Sequence, residues 1–103
     1  MVGMTAIRHT VAFALPFEAG SSGEQEFLAE ARGLAAIPGV QAFRVLRTLE
    51  ERSELPLTLS MEFADRAAYD AYNAHPLHRG FVERRWLPTV TAFQESDFAV
   101  EPV

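Results

Sequence analysis

The sequence predicts an α+β fold, a four-stranded antiparallel sheet with its helices on one face. Two observations carry this. Segments of period-two alternation and segments of helical spacing follow one another in the order strand, helix, strand, strand, helix, strand. The chain of 103 residues also has room for one core only, so these elements form a single domain over residues 1–103, with its core at about 6–100.

Residues Met1 to Met4 read as a frayed start. Ala6 to Leu15 make the first strand, with Ile7, His9, Val11, Phe13 and Leu15 on one face. The other face, Ala6, Arg8, Thr10, Ala12 and Ala14, is small and only partly polar. Pro16 to Ser22 form a loop. Ser22 with Gln25 makes a capping box, and Ser21 with Glu24 makes an equally good one. The helix then runs to about Ala36 with an apolar stripe of Phe27, Leu28, Ala31, Leu34 and Ala35. Ile37-Pro38-Gly39 ends it.

The second strand spans Val40 to Leu49, with Phe43, Val45 and Leu49 on one face, and the charged stretch Glu50 to Pro56 is a hairpin connection. In the third strand Leu57, Leu59, Met61 and Phe63 alternate with Thr58, Ser60 and Glu62. Asp65 caps a helix from Arg66, whose buried face carries Ala68, Tyr69, Ala71 and Tyr72. His75-Pro76 interrupts it, because a residue before proline avoids the helical region. A further helical stretch covers about Leu77 to Leu87, with Phe81, Val82 and Trp86 apolar, and Phe93 to Val100 form the last strand. This order is the ferredoxin-like βαββαβ pattern. The helices cover one sheet face. The small and apolar members of the other (Ala12, Ala14, Ala42, Leu46) predict a second sheet packed across a twofold axis, closing a dimeric α/β barrel.

Composition excludes several chemistries. There is no cysteine, which removes thiolate nucleophiles, disulfides and cysteine-ligated metals. All nine basic residues are arginine, so lysine Schiff-base and P-loop chemistry are excluded. A net charge of −5 argues against nucleic acid as a partner. No apolar run approaches the ~20 residues of a membrane helix. The expectation is a cytoplasmic protein that binds neither nucleic acid nor membrane.

The segments Ile7-Arg8-His9-x-Val11-x-Phe13, Ile37-Pro38-Gly39-Val40, Ala71-Tyr72-Asn73-Ala74-His75-Pro76-Leu77-His78-Arg79-Gly80-Phe81-Val82 and Asp97-Phe98-x-Val100 together resemble the Dabb family. These are stress-responsive A/B barrel domains, dimeric and ferredoxin-like. The likeness runs from Ile7 to Val100 and implies a homodimer without an obligatory cofactor. One plant member is the olivetolic acid polyketide cyclase, whose catalytic tyrosine and histidine lie in the same Y-x-x-H-P-x-H motif. The resemblance carries them onto Tyr72 and His78, and two further pocket histidines onto His75 and His9. Its third-strand histidine has no counterpart here, where Leu57 stands at about that position.

Cyclisation of that kind needs a base near neutral pH and a donor for an enolate oxygen, roles open to histidine and tyrosine. The break at Pro76 lets Tyr72 and His78 meet over the sheet, where the alternation of the first strand also puts His9. An apolar pocket between sheet and helices, lined by Phe13, Leu59, Met61, Phe81 and Trp86 with His75 near, is expected to hold a small apolar or polyketide-like ligand. The structural reading stands beside it: Tyr72 packing at a helix end, His75 capping the next helix, His78 a satisfied structural histidine.

His75-x-x-His78 is too short of ligands for zinc, so no metal is expected. The leading functional expectation is a stress-responsive domain that binds a small ligand. The alternative is a cofactor-independent cyclase or lyase using Tyr72 and His78. A third, resting on Trp86, is a monooxygenase of the antibiotic-biosynthesis type, which shares the barrel architecture. Arg8, Arg44 and Arg47 are expected to bind an anion or to pair with Glu62 or Glu50 in a dimer, and Arg84-Arg85 to form a solvated helix face.

Overall fold

The computed structural model describes residues 5–103, so the segment Met1 to Met4 lies outside the described residues. Its elements are β1 (Ile7–Ala14), α1 (Ser22–Arg32) continued by a 3-10 turn (Gly33–Ala36), β2 (Gln41–Arg47), β3 (Leu57–Phe63), α2 (Arg66–Ala74), α3 (Pro76–Phe81), a π-helical turn (Val82–Trp86), the short α4 (Leu87–Thr89) and β4 (Ala92–Ala99). The antiparallel sheet has the order β2-β3-β1-β4, which is the ferredoxin-like arrangement that the sequence predicts.

Alternation on β1 and β3 decides which face is covered. Ile7, His9, Val11 and Phe13 on β1 are buried, as are Leu57, Leu59, Met61 and Phe63 on β3. Phe27, Leu28, Ala31 and Leu34 from the first helix and Tyr69, Tyr72, Phe81 and Trp86 from the later ones close over them. Ala35 and Ala71, predicted in the buried stripes, are exposed. For Ala35 the cause is the tighter 3-10 winding, which turns it off the stripe. Ala71 lies between Tyr69 and Tyr72, whose larger side chains take the buried face of α2.

The caps explain the helix starts. Ser21, not Ser22, is the N-cap of α1, and its hydroxyl accepts from the Glu24 amide at 3.3 Å. Glu24 reaches back to accept from the Gly20 amide at 2.9 Å. That carboxylate is buried and also receives Arg47, whose Nη1 is 3.2 Å from Oε2. Arg47 therefore pairs with α1 rather than with Glu50, while Arg8 pairs with Glu62 within one chain at 3.3 Å. Asp65 caps α2 by accepting from the Ala68 amide at 2.9 Å.

Gly39 adopts a φ of 92° in the turn before β2, a conformation that side-chain-bearing residues resist. β2 then carries a bulge between Gln41 and Arg44, with Ala42 at φ 49°. The strand ends at Arg47, so Leu49, predicted on its buried face, sits exposed in the hairpin loop. The opposite sheet face is uncovered and carries Ala12, Ala14, Leu46 and Phe98, the last two about half exposed. Among the described residues no helix is long and apolar enough to cross a membrane.

Candidate functional site

The tyrosines and histidines converge because three elements deliver them to one place. His9 rises from the helix-covered face of β1, and Tyr69 and Tyr72 descend onto it from α2. His78 arrives from α3 after the chain turns at His75-Pro76. That turn is capped by His75 itself, whose Nδ1 accepts from the Leu77 amide at 3.1 Å. Pro76 at the first helical position lacks the amide that would otherwise go unpaired there.

Between helices and sheet lies a cavity of about 230 Å³. His9, Tyr72 and His78 line it together, against a wall that includes Leu59, Met61, Phe81 and Trp86. Leu87, Phe93 and Glu95 stand at its exposed side. Two predicted lining residues are not there. Phe13 is fully buried against Phe27 and Trp86, with ring centroids at 5.9 and 5.0 Å, and lies behind the wall. His75 is turned to its capping role outside the cavity, as the structural reading had it.

The polar groups differ in how they are satisfied. His78 packs on Tyr72 at a centroid distance of 4.6 Å, and its Nδ1 lies 3.2 Å from the carbonyl of Asn73. A carbonyl only accepts, so Nδ1 carries the proton and Nε2 keeps its lone pair. Burial holds the His78 imidazole below its usual range, so it is neutral at neutral pH. Burial also pushes the Tyr72 hydroxyl well above the usual tyrosine range, with the negative charge of Glu95 adding to it. Tyr72 is therefore a proton donor, and among the described residues its hydroxyl has no hydrogen-bond partner.

Tyr69, by contrast, is engaged. Its hydroxyl donates to Asp97 Oδ2 at 2.8 Å and lies 3.0 Å from His9 Nδ1. His9 Nδ1 in turn lies 2.6 Å from Asp97 Oδ1. Desolvation first, then the Asp97 bond and charge, push the Tyr69 hydroxyl well above its usual range. Asp97 and Glu95 are site residues that sequence reasoning missed. A signal was available, since Phe93, Glu95 and Asp97 share one parity on β4, and it needed only the register that sets Asp97 opposite His9.

No arginine lines the cavity. Arg44 donates to its neighbouring carbonyl at Phe43, and Arg85 is half covered, lying over Phe27 and 3.0 Å from Glu30 rather than fully solvated. Among the described residues no three His, Asp or Glu side chains gather as a metal site requires. The cavity can therefore hold a small uncharged molecule by apolar contact, with a donor and imidazole acceptors at one end.

The family model of the stress responsive A/B barrel domain, Dabb, matches residues 7–100. A Dabb family protein with a ferredoxin-like fold from Mesorhizobium loti is 43% identical, with 95% of this chain and 99% of that one covered and a TM-score of 0.89. A dimeric ferredoxin-like protein of unknown function from Jannaschia is 27% identical over 92% of this chain and 99% of its own, with a TM-score of 0.70. The hydroxynitrile lyase of Passiflora edulis covers 97% of both chains with a TM-score of 0.82, but at 13% identity it shares the fold alone. The comparison with curated proteins finds no match.

Proposed function

Since the chain belongs to the stress-responsive A/B barrel, or Dabb, family, we propose that it acts as a homodimer whose cavities bind a small, uncharged, mainly apolar molecule bearing a carbonyl-type oxygen. The single observation that carries this is the Tyr72 hydroxyl: buried, held protonated, and without a partner in an otherwise apolar cavity. A buried donor left unpaired costs about 1–3 kcal/mol, a cost that a ligand oxygen removes. Glu95 at the exposed side, with no arginine in the lining, disfavours an anion. The dimer is supported by the uncovered sheet face around Ala12 and Leu46 and by the dimers described for relatives.

The test is a titration followed by the fluorescence of Trp86, the one tryptophan and part of the cavity wall. 2-Heptanone, heptane and heptanoate serve as probes. The ketone is expected to bind best and heptanoate worst. In Tyr72→Phe the ketone's advantage over heptane is expected to vanish. Tighter binding of heptanoate, or no response to any probe, overturns the reading.

A second reading is favoured by the contact between Tyr72 and His78. A neutral imidazole and a protonated phenol side by side supply the base and the donor of a cofactor-independent cyclase or lyase. The monooxygenase reading has less support, because Trp86 packs on Phe13 and edge-on against Phe93 as part of the wall.

A further inference from the structure

We infer that His9, not His78, is the proton acceptor of this cavity, with Asp97 and Tyr69 as the residues that hold it in its accepting form. The inference rests on the cavity being a ligand site, as proposed above, and concerns which side chain does the chemistry there.

The argument starts from the hydrogens. The Tyr69 hydroxyl donates to Asp97 Oδ2 at 2.8 Å, so its oxygen is left to accept. His9 Nδ1 lies 2.6 Å from Asp97 Oδ1 and 3.0 Å from that phenol oxygen. Both neighbours accept, so Nδ1 bears the proton and donates to them. The ring's other nitrogen, Nε2, then keeps its lone pair, and among the described residues it has no hydrogen-bond partner. His9 is 5% exposed and lines the cavity, so Nε2 is the atom it offers to a ligand.

The two histidines differ in what stabilises them after a proton is taken up. An imidazolium at His9 lies against a carboxylate, a charge-assisted contact. An imidazolium at His78 would have only the Asn73 carbonyl at 3.2 Å, in a place where burial already disfavours its charge. A carboxylate behind the ring is the arrangement that fixes a histidine's tautomer in acyl-transfer enzymes. Acting on a ketone, Nε2 forms a bond to the α-hydrogen as the C–H bond breaks. That electron pair forms the C=C bond, and the carbonyl π pair moves to oxygen, where the Tyr72 hydroxyl donates.

A neutral probe tests this without knowledge of the natural ligand. 5-Nitrobenzisoxazole opens when a base removes its ring C–H proton: the C≡N bond forms, the N–O bond breaks, and a coloured phenolate is released. His9→Gln is expected to lose at least tenfold in kcat with KM little changed, and His78→Gln less than threefold. Asp97→Asn and Tyr69→Phe are expected to lower kcat about tenfold at similar KM. Nitrogen NMR of the ligand-free protein is expected to find the His9 proton on Nδ1, and to find it moved toward Nε2 in Asp97→Asn. A merely structural role for Asp97 would not move that signal.

If His78→Gln abolishes turnover and His9→Gln keeps it, the assignment to His9 is wrong while the ligand site stands. If the probe neither binds nor shifts the methyl signals of Leu59 and Met61, the ligand site itself fails. The tautomer spectrum needs no ligand, so a proton found on Nε2 of the wild-type protein overturns the inference in either case.

Discussion

Replacing Tyr72 and Tyr69 by phenylalanine is the same chemical change, made three residues apart on one helix, and the structure requires opposite results. Tyr69→Phe deletes a hydroxyl that bonds Asp97 at 2.8 Å and lies 3.0 Å from His9. A hydrogen bond to a charged group contributes about 1.5–3 kcal/mol. The Asp97 side chain is 39% exposed, so water replaces part of that and the lower end applies, about 1.5 kcal/mol. Tyr72→Phe deletes a hydroxyl with no partner, so the folded state loses no bond and sheds a poorly solvated dipole. The expected change is between no effect and a gain of about 1 kcal/mol. Urea unfolding at one fixed protein concentration reads both, since a dimer's stability depends on concentration. With a slope of about 1–1.5 kcal/mol per molar, Tyr69→Phe lowers the midpoint by roughly 1 M and Tyr72→Phe leaves it unchanged or raises it. A loss in Tyr72→Phe equal to that in Tyr69→Phe would mean that the Tyr72 hydroxyl serves the fold, and the case for a ligand there would collapse.

Stability should also fall in two acid steps. Burial holds His78 below its ordinary 6.5, so the unfolded chain takes up that proton first. Stability is complete above 6.5 and declines as pH falls toward the lowered folded-state value, and urea midpoints of His78→Gln should lack this step. Arg47 holds the Glu24 carboxyl below its ordinary 4.5, so that contribution is present above 4.5 and is lost as pH falls through the folded-state value. Glu24→Ala removes bonds to Arg47 and to the Gly20 amide together, and should cost about 2 kcal/mol in the same assay. This is less than for a fully buried pair because Arg47 is 45% exposed. Leu46→Asp, on the uncovered sheet face, should turn a species of twice the chain mass into monomer in sedimentation velocity, and an unchanged mass would place the interface elsewhere.

Much of the fold was legible because β1 and β3 alternate cleanly and because Asp65 and His75-Pro76 are local signals whose effect does not depend on distant residues. The convergence of His9, Tyr72 and His78 was legible for the same reason, since alternation and a helix break place them. What a single strand or helix cannot show is its partner. Asp97 becomes a site residue only through a register that joins it to His9 across 88 positions of chain. Phe13 has the parity of a lining residue, yet Trp86 and Phe27 stand between it and the cavity. Leu49 continues a β2 pattern that the hairpin had already ended.

The π-helical turn at Val82–Trp86 has a consequence for how this chain can vary. In an α-helix each residue advances about 100°, so side chains five apart point in different directions. Here Phe81 and Trp86, five apart, are both buried, with centroids 6.4 Å apart. The wider turn holds one residue more than an α-helical turn would, and that residue sets the phase of everything after it. Substitution at Glu83 or Arg84 changes only what solvent meets. Deleting either restores ordinary winding and rotates Trp86 and Leu87 by about 100°, which dismantles one side of the cavity. Along this stretch the number of residues is under tighter constraint than their identity.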